Sequence, residues 1–161
     1  MLLELADHGV EFTVVGGVAV QTHGHVRGTH DLDLVPAPDL LNLTRLAGAL
    51  AALSARVRRA DRPVDVGDPH LLRRAPLVPL VTEYGRLDLL NFDLAEGMPK
   101  SYEDLRGRAV EVDLEGRIVA VAGLDDLIRM KRVAGREVDL SDIGALTRTD
   151  EQLRDEAGES T

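Results

Sequence analysis

Asp31-Leu32-Asp33-Leu34 is the segment whose spacing speaks most directly of chemistry. On a strand, side chains alternate with a period of two, so both carboxylates face one way and both leucines the other. Acids held side by side each raise the cost of ionising the other, and a divalent cation relieves that cost. The plainer alternative is a capping or turn aspartate beside a solvated one. Upstream, Gly16-Gly17 stands between a strand and a helix, where absent side chains let backbone amides approach a phosphate, or where the chain simply turns tightly. Downstream, Asp88 sits in Arg86-Leu87-Asp88-Leu89-Leu90, an apolar run in which an unpaired carboxylate is costly to bury. A metal would remove that cost, and so would an arginine partner. Arg27 and Thr29 share the alternation of the acids in RGTHDLDLV, which places them on the same face, able to touch phosphate or the carboxylates. His23, His25 and His30 raise a rival His/Asp metal site. Against it, His30 alternates to the opposite face and Gly24 breaks any rigid pairing of the other two.

These residues need a frame of short strands and helices. Leu2 to His8 reads as a helix closed by Gly9, Val10 to Val15 as a strand, Val18 to His23 as a helix and Arg27 to Val35 as a strand. Asp39 caps an amphipathic helix carrying Leu40, Leu43, Leu46, Leu50, Leu53 and Val57. Ala60 to Pro76 has the composition of a loop with a turn near Leu71. Leu77 to Glu83 and Arg86 to Phe92 read as a hairpin across Tyr84-Gly85, and Ala109 to Leu114 and Arg117 to Val121 as a second across Glu115-Gly116. The second hairpin comes after Ser101 to Leu105, and helices follow it at Leu124 to Ala134 and from Asp139 to near Leu146, with Gly135 between them. Asp150 to Thr161 reads as a frayed acidic tail, which leaves 1–149 as one α/β domain with a short mixed sheet flanked by helices.

Composition narrows the chemistry. With no cysteine, thiolate nucleophiles and Cys-based zinc sites are excluded, and oxygen ligands favour Mg2+ or Mn2+. A net charge of -9 excludes a surface that grips nucleic acid everywhere, although a local basic patch remains open. Two Phe, two Tyr and no Trp leave little on which to stack unpaired bases. No apolar run approaches the roughly 18 to 20 residues of a membrane span, and the N-terminus carries early acids rather than the positive charge of a signal peptide, so a cytoplasmic protein without membrane contact is expected. Only Lys100 and Lys131 break the preference for arginine, which draws notice to Lys131 on its helix. A solvated helix lysine is the alternative there.

Together, VVGGVAV, RGTHDLDLV and GRLDLLNF resemble the DNA polymerase beta-like nucleotidyltransferase superfamily, with its glycine pair, D-x-D pair and third carboxylate on a later strand. GLDDLIRMKRVAGREVDLSDI, Gly123 to Ile143, resembles the closing motif of AbiEii and MenT-type toxin nucleotidyltransferases and their minimal relatives. The glycine pair departs from the commoner Gly-Ser, which removes a hydroxyl contact to phosphate, and the C-terminal region is shorter than in the larger toxins. The resemblance implies a metal-dependent transfer of a nucleoside monophosphate from an NTP to a hydroxyl on RNA, protein or a small molecule, with a toxin beside its antitoxin as one setting. It implies Asp31, Asp33 and Asp88 as metal ligands, with Asp88 helping to activate the acceptor. Gly16, Gly17, Arg27, Thr29 and Lys131 would then lie along the triphosphate. Asp139 and Asp142 match the motif too, but also suit a helix N-cap and first turn, with Arg136 as partner to either. A catalytically inactive relative that binds nucleotide or a protein is the alternative.

Overall fold

The computed structural model describes residues 1–58 and 64–159. Helix α1 (Leu2–Asp7) is followed by Gly9, whose φ of +66° gives the left-handed turn that ends many helices, and the chain enters strand β1 (Phe12–Val15). Helix α2 (Gly16–Thr22) starts on the glycine pair itself, and strand β2 (Asp31–Pro36) carries the paired acids. In helix α3 (Leu40–Ala52), the Asp39 side chain accepts the Asn42 N–H, and Leu43, Leu46 and Leu50 are buried. Strand β3 (Arg56–Val57) leads, beyond a 3-10 turn at Leu71–Arg73, to the hairpin of β4 (Leu77–Thr82) and β5 (Gly85–Leu90). Ser101 caps α4 (Tyr102–Gly107), and β6 (Val110–Leu114) and β7 (Arg117–Val121) are joined by Glu115 and Gly116, both at positive φ as a two-residue hairpin turn requires. Helix α5 (Leu124–Ala134) stops at left-handed Gly135, and α6 (Glu137–Glu159) closes the described chain.

The strands form one sheet in the order β3-β4-β5-β2-β1-β7-β6. The β1–β7 and β2–β5 pairs are parallel and the rest antiparallel, giving a mixed sheet in an α/β fold as expected. Residues in register share a face, so the sheet sorts its side chains into rows. One apolar row runs Val78, Leu89, Leu34, Val14, all buried, with Leu80, Leu87 and Leu32 in the next row on that face. The opposite face carries the row Pro79, Asp88, Asp33, Val15 and, beside it, Arg56, Val81, Arg86, Asp31. Burying the leucines, at about 1.5–3 kcal/mol each, is what turns the charged row outward. Slipping β2 by one residue would send both acids into the core.

Three elements differ from the sequence reading. Helix α3 ends at Ala52 because Ser54 takes φ +50°, and Val57 pairs with Leu80 in a strand instead of extending the helix. Strand β2 begins at Asp31, so Arg27 and Thr29 do not continue the strand face of the acids. Helix α6 passes Leu146 and residue 149 without a break, so the stretch expected to fray is helical as far as Glu159. Part of the expected loop from Ala60 falls on residues outside those described.

Candidate active site

Asp33 and Asp88 stand directly opposite each other on parallel strands β2 and β5. Burial, reinforced by the charges of Asp88 and Asp31, pushes the Asp33 carboxyl up to about 6, although the Gly17 N–H and Lys131 favour its ionised form. Burial also raises Asp88, against the opposing pull of Arg58, whose guanidinium donates a hydrogen bond to it. Asp31 lies one row away, with Arg58 and Arg86 each 3.6 Å from its Oδ1. That oxygen is buried and accepts no hydrogen bond.

The glycine pair is explained by these acids. Gly16 has φ +64°, and a Cβ there would fall 1.9 Å from Asp33 Oδ2. A Cβ on Gly17 would lie 2.6 Å from Thr29 Oγ1. Gly17 thus admits Thr29 while its amide turns to Asp33. The expected phosphate amide faces a carboxylate.

Above these strands a cleft of about 370 Å3 is lined by Gly16, Asp33 and Asp88 on the sheet side and by Lys131, Arg136 and Asp139 on the helical side, with Leu90, Met130 and Val133 along its wall. Lys131 is not a solvated lysine: it is 4% exposed, with Nζ 3.0 Å from Asp139 Oδ1 and 2.8 Å from Asp142 Oδ2. Arg136 donates to Asp139 through its backbone and its side chain, and Arg27 holds Asp142 in a two-pronged contact at 2.7 and 2.8 Å. Burial pushes the Asp139 carboxyl up, but hydrogen bonds from Arg136 and Lys131 outweigh it and hold the group at about 2. Burial is likewise outweighed at Asp142, lowered by Arg27 and Lys131.

Of the expected residues, the structure therefore gathers Gly16, Asp33, Asp88, Lys131, Arg136 and Asp139 around one cleft, with Asp31 beside them. Gly17, Thr29, Arg27 and Asp142 stand behind it. Arg27 is committed to Asp142 and does not reach the D-x-D acids as expected. Asp139 sits in the first turn of α6, accepting the Arg136 N–H, and is more than a cap because its carboxylate is fully buried among cations. Arg58 and Arg86 escaped the sequence reading. Alternation with Asp88 could have found Arg86, but Arg58 follows a segment read as helix.

The three carboxylates supply oxygen donors of the kind Mg2+ and Mn2+ prefer, and the unbonded Asp31 oxygen and the raised Asp33 carboxyl both call for a cation. In this arrangement no three such side chains converge on one point among the described residues, and the Arg58 guanidinium lies against Asp88 and near Asp31. As they stand, Asp31 and Asp88 are partnered by Arg58, so a divalent metal would have to take its place among these donors. The histidines do not gather: His23 donates to the Ala122 carbonyl, and His25 is 3.7 Å from Asp142.

No protein-family model matches the sequence, and no curated protein matches it. Solved structures share the fold. A lincomycin-bound lincosamide antibiotic adenylyltransferase, LnuA, superposes with a TM-score of 0.60 at 17% identity, covering 91% of this chain and 92% of its own. ANT(2")-Ia in complex with adenylyl-2"-tobramycin gives 0.55 at 14% identity, with 97% and 94% covered. A Thermotoga maritima protein described as a nucleotidyltransferase gives 0.54 at 16%, with 98% and 91% covered. The chain has the fold of these nucleotidyltransferases, and no helix among its described residues is long and apolar enough to cross a membrane.

Proposed function

We propose that this protein transfers a nucleoside monophosphate from an NTP to a hydroxyl acceptor, using Mg2+ or Mn2+ held by Asp31, Asp33 and Asp88. The observation that carries the reading is the in-register pair Asp33 and Asp88 at the floor of a cleft whose far wall is Lys131 and Arg136. A bound divalent metal would offset the charge on the phosphates in the transition state. Asp33, whose carboxyl burial and the neighbouring acids push up to about 6, would be the ligand whose ionised form such a cation favours most. Gly16 leaves room beside it, and Lys131 and Arg136 turn positive charge toward the triphosphate from the helical side. Asp88 takes the proton of the acceptor hydroxyl as the oxygen bonds to the α-phosphorus. The bond from that phosphorus to the departing pyrophosphate breaks. The protein chiefly positions and neutralises.

The lincomycin and adenylyl-2"-tobramycin bound to two of the structural neighbours favour a small-molecule acceptor. The likeness of Gly123–Ile143 to the toxin closing motif favours instead a toxin acting on RNA or protein, with an antitoxin partner, in the cytoplasm. One observation favours a non-catalytic binding role: Arg58 and Lys131 are already paired with carboxylates, so the site is self-neutralised as it stands. Incubating the protein with each α-labelled NTP, Mn2+ or Mg2+, and an extract separated into RNA, protein and small molecules distinguishes these readings. Label in one pool names the acceptor class, and no label in any pool overturns transfer. Calorimetry tests the metal separately: Asp31→Asn with Asp33→Asn should abolish Mn2+ binding, and unchanged affinity would remove the metal assignment.

A further inference from the structure

The charged face of the sheet does not end at the carboxylates. Arg56 on β3 opposes Val81 on β4, Val81 opposes Arg86 on β5, and Arg86 opposes Asp31 on β2. One row down, the Arg58 N–H donates to the Pro79 carbonyl at 2.8 Å, and Pro79 opposes Asp88. The face therefore carries Arg56 and Arg58 at the β3 edge, Arg86 beside Asp88 on β5, and Asp31 and Asp33 on β2. The arginines line a cleft of about 680 Å3 with Val57, Pro79 and Val81, and it shares no residue with the cleft of Gly16 and Lys131. The two meet where Arg58 touches Asp88.

Three guanidiniums share one concavity on a chain of net charge -9. Arg58 and Arg86 are directed at Asp31 and Asp88, the carboxylates that the transfer reading gives to metal. A cation seated there would displace their partners and leave planar, fork-shaped donors facing the cleft, the geometry that suits phosphate.

We propose that the Arg56, Arg58 and Arg86 cleft binds a phosphate ester of the acceptor, and that this acceptor is a compact phosphorylated molecule rather than a nucleic-acid strand. The proposal rests on the transfer reading, with NTP on the Lys131 side and acceptor on the arginine side of the same carboxylates. Compactness follows from charge and composition. A strand gains affinity from successive phosphate contacts and stacked bases, whereas this basic surface lies in one cleft of an acidic protein whose Phe12 and Tyr102 rings are buried and whose one largely exposed Phe or Tyr ring among the described residues is Tyr84.

Binding can be read without turnover, by calorimetry with glucose 6-phosphate, glucose, an eight-nucleotide RNA and a non-hydrolysable NTP as probes. Glucose 6-phosphate should bind and glucose should not. Arg56→Gln with Arg86→Gln should weaken glucose 6-phosphate at least about tenfold while NTP affinity stays within about twofold. In metal-free protein, Asp88→Asn should strengthen glucose 6-phosphate severalfold by freeing Arg58, and adding Arg58→Gln should cancel that gain. Undiminished sugar-phosphate affinity in the double arginine variant overturns the cleft. A gain that survives Arg58→Gln overturns the linkage to the carboxylates. RNA bound more than about tenfold tighter than glucose 6-phosphate overturns the compact acceptor. If NTP fails to bind while the arginine-dependent phosphate site remains, the transfer reading falls and the anion site stands.

Discussion

Asp33 and Asp139 line the same cleft, and both feel Lys131, yet one carboxyl is pushed up to about 6 and the other held at about 2. Burial opposes the charge in both. The difference lies in the company each keeps. Asp33 faces Asp88 and Asp31, whereas Asp139 is clasped by Arg136 and Lys131 and shares the lysine with Asp142, itself held by Arg27. Acids supplied with cations by their own chain are structural members. Asp33 has no guanidinium of its own, Arg58 and Arg86 being turned to Asp88 and Asp31, and under the proposed function that is the place a cation from solution would fill; the contrast separates the β2–β5 face from the α5–α6 junction.

The largest test breaks the junction. Lys131→Met keeps the bulk of the side chain but leaves Asp139 and Asp142 short of a buried partner, and removing one member of such a pair typically costs about 3–5 kcal/mol. A melting temperature lower by on the order of 10 °C, with Mg2+ giving no recovery, is the expected result. A shift of a degree or two would show that Arg136 and Arg27 suffice and that Lys131 is held for ligand alone.

The opposite sign is expected at the sheet. With the Asp33 carboxyl at about 6 rather than 3.8, ionising it in metal-free protein costs up to about 3 kcal/mol, so Asp33→Asn should raise stability at pH 8 by about 2 kcal/mol. Between pH 3.8 and 6 the unfolded chain releases this proton while the folded one retains it, so stability falls as pH rises through that window. Asp139 acts in reverse: its contribution is whole above pH 3.8 and is lost as pH falls through about 2. From these two groups metal-free protein should thus be most stable near about pH 4, with the upper limb of the curve flattened by Asp33→Asn or lifted by saturating Mg2+. Urea titrations across pH measure it, and an upper limb indifferent to both changes would place Asp33 with the structural acids.

The two regions were not equally legible in the sequence. Asp31 and Asp33 declare their shared face by alternation with Leu32 and Leu34, and β4, β5 and α5 lie close to where apolar spacing and Gly135 put them. Asp142 looked like a first-turn acid because local spacing carries no trace of Arg27, more than a hundred residues away along the chain, and Asp139 looked like a cap because nothing local says that it and Lys131 are buried together. Arg58 was hidden for a nearer reason. Leu53 and Val57 keep helical spacing, and nothing in the composition around Ser54 announces the left-handed residue that ends the helix and sends Arg56-Val57 into the sheet. Pairing across strands, not local pattern, brings that guanidinium to Asp88.

The smallest effect compares one arginine from each region. Arg58→Gln removes a hydrogen bond from Asp88 at a partly exposed site, so in metal-free protein the loss should be about 0.5–1 kcal/mol, and part of it should vanish as the raised Asp88 carboxyl takes up a proton at lower pH. Arg27→Gln takes a two-pronged contact from the fully buried Asp142 and should cost more, about 1.5–3 kcal/mol, with Lys131 left as partner. Magnesium separates them. If Arg58 holds the position of a cation among the carboxylates, Mg2+ should stabilise Arg58→Gln more than it stabilises the wild type, because the metal no longer competes with a guanidinium for Asp88 and Asp31. Arg27→Gln should gain no more from Mg2+ than the wild type does. Melting curves over a Mg2+ series for the three proteins decide it, and equal stabilisation of all three would mean that Arg58 and the metal do not share the carboxylates.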